Sequence, residues 1–177
     1  MTKSLVIFDG GNFYHCAKNL SPETHLTKFN YLKLAEIIVG SKYYNIEYCV
    51  GEVRREKGNL KSEELYSQQQ ALFYNLEQQK IKIKKGYILK YGKEYFEKGV
   101  DVQIAIDIVR GAIKREYSKC FIISSDTDII PAILDARKAS KEIIYVGFEN
   151  FISWAMKANC NRTVLITKKM FRLCSKD

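Results

Sequence analysis

The sequence predicts an α/β fold built on a mainly parallel central sheet, and three observations carry that reading. Short runs rich in β-branched residues recur at positions 5–8, 46–53, 120–124 and 143–147, with helical segments between them. Two of these runs, Leu5-Val6-Ile7-Phe8 and Phe121-Ile122-Ile123, are apolar on both faces, as central strands of a parallel sheet are. The alternation implies right-handed crossover units. No repeat, low-complexity tract or linker interrupts it, so the 177 residues read as a single domain, 1–177.

The elements follow in order. The first strand runs into Asp9-Gly10-Gly11-Asn12, where glycines let the backbone turn sharply into a helix. Asn30 caps a segment in which Leu34, Ala35, Ile37 and Ile38 recur at helical spacing until Gly40 ends it. After the second strand, 61–79 forms a longer polar helix with Leu65, Leu72, Phe73 and Leu76 on its apolar side. The Ile81-Lys82-Ile83-Lys84 alternation reads as a half-exposed strand, with lysines protecting an edge, followed by a Tyr- and Lys-rich hairpin or loop. Helices are expected over 100–116 and 129–140, the latter with Pro131 in its first turn. A short helix over 151–158, a last strand over 163–166 and a final basic helix complete the chain.

Composition narrows the function. Lys and Arg number 29 against 20 Asp and Glu, a net charge of +9, which points to a polyanionic partner. With 46% apolar residues and two prolines, the chain is too hydrophobic for a disordered basic tail. The five widely spaced cysteines form no pair of the kind zinc and redox motifs need and read as reduced and packed. The apolar run near the N-terminus is too short for a signal-peptide core or a membrane span, so a cytoplasmic location is expected. His15 and His25 lack ligand spacing and read as surface or packing residues.

The acids give the sharpest signal. In an open parallel sheet, ligands bind beyond the carboxyl ends of the strands, where strand order reverses. Asp9 follows one strongly apolar strand and Ser124-Ser125-Asp126-Thr127-Asp128 follows the other, so central placement of both strands brings these carboxylates to one edge. Each alone also reads as a helix cap or loop turn. Asn12 either points its amide to that edge or caps the helix. Asp101, in the first turn of its helix, fits the helix dipole as well as a site. Asp107 lies about 240° further round that helix and reads as support or surface. Clustered carboxylates raise one another's pKa unless compensated, and hard oxygen ligands without nearby histidine or cysteine suit Mg²⁺ or Mn²⁺. Phosphate-ester hydrolysis is the chemistry implied.

At these residues the chain resembles the NYN domains, including the LabA-like proteins, of the PIN-like nuclease group. The resemblance rests on Val6-Ile7-Phe8-Asp9-Gly10-Gly11-Asn12, on the segment from Lys98-Gly99-Val100-Asp101 to Asp107, and on Ile123-Ser124-Ser125-Asp126-Thr127-Asp128-Ile129-Ile130-Pro131. It implies a Rossmann-like three-layer α/β/α sandwich and RNA cleavage by an acid cluster that binds Mg²⁺ or Mn²⁺. Carried over by position, Asp9, Asp101, Asp126 and Asp128 look like the catalytic, metal-binding acids. Asn12 and Ser124 or Ser125 are their polar neighbours, and Lys98 contacts the scissile phosphate. Gly11 and Ser125 stand where many relatives have a different residue, and neither departure removes an acid.

The basic surface fits an RNA partner, single-stranded or structured. Arg54, Arg55, Lys57 and Lys61 flank the end of the second strand. Lys80, Lys82, Lys84, Lys85, Lys90, Lys93 and Lys98 are interleaved with Tyr87, Tyr91, Tyr95 and Phe96, a pattern suited to a backbone that needs neutralising and bases that stack. The same residues also read as a solvated lysine face over core tyrosines, and Lys168, Lys169, Arg172 and Lys176 as the solvated side of the last helix. The expected function is a metal-dependent endoribonuclease. Its rival is a non-catalytic RNA-binding regulatory module of the same fold; transferase and phosphatase readings fit the acids poorly. The exposed face of the 61–79 helix is a candidate surface for self-association or a protein partner.

Overall fold

The computed structural model describes residues 3–92 and 94–175. Seven strands form one sheet: β1 (Ser4–Asp9), β2 (Tyr44–Glu52), β3 (Lys82–Tyr91), β4 (Glu94–Lys98), β5 (Lys119–Ile123), β6 (Glu142–Phe148) and β7 (Arg162–Ile166). Their order across the sheet is β4-β3-β2-β1-β5-β6-β7, and every pairing is parallel except β3 with β4. The chain therefore builds outward from β1 through β2 and β3, then returns to lay β5 on the other side of β1. That reversal puts a switch point between β1 and β5.

Among the described residues, seven α-helices cover the two faces: α1 (Gly10–Leu20), α2 (Tyr31–Val39), α3 (Leu60–Gln78), α4 (Val100–Ile113), α5 (Ile130–Lys138), α6 (Trp154–Asn159) and α7 (Lys168–Cys174). Alternation along β1 explains the two layers. Val6 and Phe8 face a core shared with α1, α2, α3 and α7, whereas Ile7 faces a second core shared with α4, α5 and α6. The first core is aromatic: Phe13 packs with Phe8, Phe29, Tyr31, Phe148 and Phe171, with ring centroids 5.3–6.3 Å apart. All five cysteines are buried and unpaired, as expected.

Most expected elements form, and the differences have local causes. The helix expected from residue 151 starts at Trp154, because Phe151 bridges back to Phe148 and Ser153 caps the helix through Met156 N. The Lys-rich strand is only partly an edge. Its outer half, Tyr87–Tyr91, pairs with β4 in a hairpin, and Lys84 is not solvated but bonds Asp107 at 3.2 Å. Asp107 is accordingly buried, with Gln103 as its second donor, and acts as support inside the fold.

β4 does the positioning that matters for the site. It carries the chain back from the hairpin tip to the C-terminal edge of the sheet, where Lys98 pairs with Tyr87. Gly99 then turns with φ 83°, a left-handed conformation that favours glycine, and α4 starts at that edge.

Candidate active site

Asp9 is the last residue of β1 and is buried, 4% exposed. One carboxylate oxygen accepts the Asn12 N–H at 3.1 Å, so Asp9 caps α1. The other accepts the Ser124 hydroxyl at 2.7 Å, across the gap between β1 and β5. The capping reading and the site reading of Asp9 thus both hold. Asn12 does not cap the helix. Its side-chain oxygen accepts the Ser125 N–H at 3.1 Å and ties α1 to the loop after β5.

The serines divide the work. Ser124 Oγ also accepts the Asp126 N–H at 3.1 Å, so a single hydroxyl orients Asp9 and the loop that bears Asp126. Ser125 Oγ lies 3.1 Å from the Tyr145 hydroxyl, facing the second core. Asp126 is half-buried and closes a turn by accepting the Asp128 N–H at 2.9 Å. Asp128 is exposed at the outer side of this loop. Asp101 stands half-buried in the first turn of α4.

Electrostatics show that these groups feel one another. Burial raises the Asp9 carboxyl above its ordinary value, Glu97 and Asp126 add to the rise, and the bonds from Ser124 and Asn12 oppose it. Asp101 is raised as well, first by burial and then by Asp126, Asp9 and Asp128. The Ser124 hydroxyl thus ties Asp9 to the Asp126 loop, while Asp101 and Asp128 line a neighbouring hollow between α4 and α5.

Glu97, on β4, is an acid that the motifs do not reveal. Its carboxylate accepts the Gly51 N–H at 2.5 Å and lies over α1, where a Cβ on Gly11 would come within 3.2 Å of Glu97 Oε1. A side chain on Gly51 would meet the same carboxylate at 2.7 Å. Glu97 closes the cluster on the β2 side.

The donors are carboxylate oxygens, the right kind for a hard divalent cation. Among the described residues, no three His, Cys, Asp or Glu side chains are gathered closely enough to cage one.

The basic residues separate into two groups. Lys82 bonds Glu47 at 3.2 Å, Lys85 bonds Glu52 at 2.6 Å and Lys90 bonds Glu56 at 2.9 Å, so these charges are largely compensated within the fold. Arg54 and Lys61 are exposed and make no ion pair among the described residues, and Arg55 pairs with Glu63 only at 3.4 Å. Lys98 is exposed at the end of β4, its ammonium 5.8 Å from the Phe96 ring. Lys93 and Lys176 lie outside the described residues.

The molecule is a three-layer α/β/α sandwich with acids at the switch point of its sheet. The NYN domain model matches residues 3–167, nearly the whole chain. The chain belongs to the NYN domain family, a PIN-like nuclease family. Among solved structures it is similar to a protein of unknown function, VPA0982, from Vibrio parahaemolyticus, with a TM-score of 0.61 and 14% identity over 93% of each chain; that likeness is one of fold. No curated protein matches the sequence. Among the described residues no helix is long and apolar enough to cross a membrane.

Proposed function

We propose that this protein is a metal-dependent endoribonuclease that hydrolyses phosphodiester bonds of RNA, with Asp9, Asp101, Asp126 and Asp128 as its acid cluster and Mg²⁺ or Mn²⁺ as its cofactor. The observation that carries the reading is that Asp9 and the Asp126 loop, far apart in sequence, share the Ser124 hydroxyl at the switch point of a nuclease-family fold, with Asp101 in the first turn of α4 at the same edge of the sheet.

When bound, a divalent cation neutralises this cluster, polarises a phosphate oxygen and makes water a better nucleophile. The chain's own residues prepare the place. Ser124 and the Asn12 N–H hold Asp9 in one rotamer while leaving each carboxylate oxygen a further lone pair. The Asp126 oxygen not engaged by the Asp128 N–H is the one left to a ligand. Asn12 keeps the α1 and β5 sides of the site in register. Arg54 and Arg55, just after β2, and Lys98, the last residue of β4, supply positive charge at the same edge of the sheet, which would draw in an RNA backbone.

The test is incubation of labelled single-stranded and hairpin RNAs with protein and Mn²⁺ or Mg²⁺, beside Asp126→Asn. Internal cleavage is expected for the wild type, lowered at least a hundredfold in the variant and abolished by EDTA. Equal cleavage by both proteins, or none by either on diverse RNAs, overturns the reading. RNA binding without cleavage that survives EDTA would favour a non-catalytic binding module.

A further inference from the structure

The β3–β4 hairpin is longer than the sheet needs. β3 makes its last pairing with β2 at Glu52 and Tyr87 and then runs on through Ile88 to Tyr91, paired among the described residues with β4 alone. Four residues of strand span about 13 Å, so the hairpin stands beyond the C-terminal edge of the sheet as a wall beside the acid cluster. Side chains of directly paired residues share a face. Ile88 pairs with Glu97 and Lys90 with Tyr95, so these four side chains line one face of the wall. The root of that face is Glu97, which reaches the acids. Tyr95, two residues and about 7 Å further up, is nearer the tip.

Between this face, the segment after β2 and the start of α3 lies a hollow of about 920 Å³. Leu65, Ile88 and Tyr95 give it apolar wall, and Arg54, Lys61, Asn59 and the paired Lys90 and Glu56 line it as well. Leu65 is 46% and Tyr95 53% exposed, so apolar and aromatic surface is open to solvent. The Tyr95 ring is held from its hydroxyl, which donates to Glu56 Oε1 at 3.2 Å, while Glu56 is itself tied to Lys90 and to Asn59. The Lys90 ammonium lies 5.4 Å from the centroid of this ring, and an aromatic ring held by its hydroxyl, apolar walls and exposed cations nearby are what a splayed-out base with its phosphate requires.

We infer that this hollow is a nucleobase subsite, which takes one unpaired base of the RNA strand against Tyr95 while Arg54 and Lys61 hold its phosphate, next to the bond presented to the acids. The inference rests on the nuclease reading and names a part of its substrate site. It gives the hairpin a purpose that sheet pairing alone does not.

The experiment measures binding of a short labelled single-stranded RNA by fluorescence anisotropy in EDTA, with cleavage in Mn²⁺ followed in parallel. Wild type, Tyr95→Phe and Tyr95→Ala are compared on intact RNA and on a set of RNAs with one abasic nucleotide at successive positions. Tyr95→Ala is expected to weaken binding of intact RNA by about five- to a hundredfold, the worth of one stacked base. Tyr95→Phe retains most of the affinity. At one position the abasic RNA binds the wild type more weakly by a similar factor yet binds Tyr95→Ala no worse than intact RNA does, which marks ring and base as partners. If the wild type binds and cleaves RNA while no abasic position couples to Tyr95, the subsite is overturned and the nuclease reading stands. If the wild type neither binds nor cleaves any RNA, the nuclease reading falls and the subsite with it.

Discussion

Ser124 joins the two halves of the site through one hydroxyl, donating to Asp9 and accepting from the Asp126 N–H. Ser124→Ala leaves a buried Asp9 oxygen and the half-buried Asp126 N–H without their partner, so chemical denaturation should show a loss of about 1–3 kcal/mol. The bond from Ser124 also lowers the Asp9 pKa. Without it, the acid limb of the cleavage pH profile should move to higher pH. The Asp101 carboxyl, like that of Asp9, is raised in the folded protein, and no hydrogen bond is among the causes that act on it. The folded state then binds protons more readily than the unfolded chain, and the ionised group opposes folding at every pH above its ordinary value near 3.8. Asp101→Asn should therefore raise Tm at pH 7 in the absence of metal, with the gain vanishing as the pH falls through the Asp101 range. Asp9 and Asp126 were legible in the sequence because each follows a strand apolar on both faces. Glu97 was not, since nothing in its neighbourhood shows that an antiparallel hairpin swings it over Gly51 and Gly11.

Elements end here in ways a search for glycine misses. Helices α3, α4 and α5 are each followed by a non-glycine residue with positive φ, namely Lys80, Arg115 and Ser140. In each case the next residue's N–H reaches back five positions, to Leu76, Gly111 and Ala136 respectively. That is why 100–116 reads as one helix in sequence while α4 stops at Ile113. Arg115→Gly should relieve the left-handed strain and raise unfolding free energy by about 0.5–1 kcal/mol, measured by denaturant titration. The start of α1 works in reverse, through space. A Cβ at Gly10 would sit 2.6 Å from Tyr48 Cε1 and 2.9 Å from the Cys49 carbonyl, so the helix leaves β1 pressed against β2. Gly10→Ala should cost about 1–3 kcal/mol by overpacking. The Gly10-Gly11 pair was legible as a turn, but close packing rather than chain reversal is what demands the first glycine.

For the whole molecule, alternating runs of strand and helix were enough to predict a parallel α/β sheet, while strand order was not, because it depends on pairings between distant segments. The surplus charge needs the same care. Setting aside the four candidate site acids leaves 16 carboxylates against 29 bases, or +13, yet several lysines of the Lys-rich run already pair with a carboxylate on the surface of the fold. Lys82, bonded to Glu47, should contribute little to RNA binding, whereas Arg54 is free to meet a phosphate. Arg54→Ala should reduce the slope of log K against log salt by about 0.7 for single-stranded RNA, and Lys82→Ala should leave it unchanged. The central claim is that residues far apart in sequence form one cation site at the switch point. Titration of Mn²⁺ followed by electron paramagnetic resonance tests it most directly: saturable binding to the wild type, weakened at least tenfold by Asp9→Asn and by Asp126→Asn, is the expected result. Identical Mn²⁺ binding by all three folded proteins would contradict it.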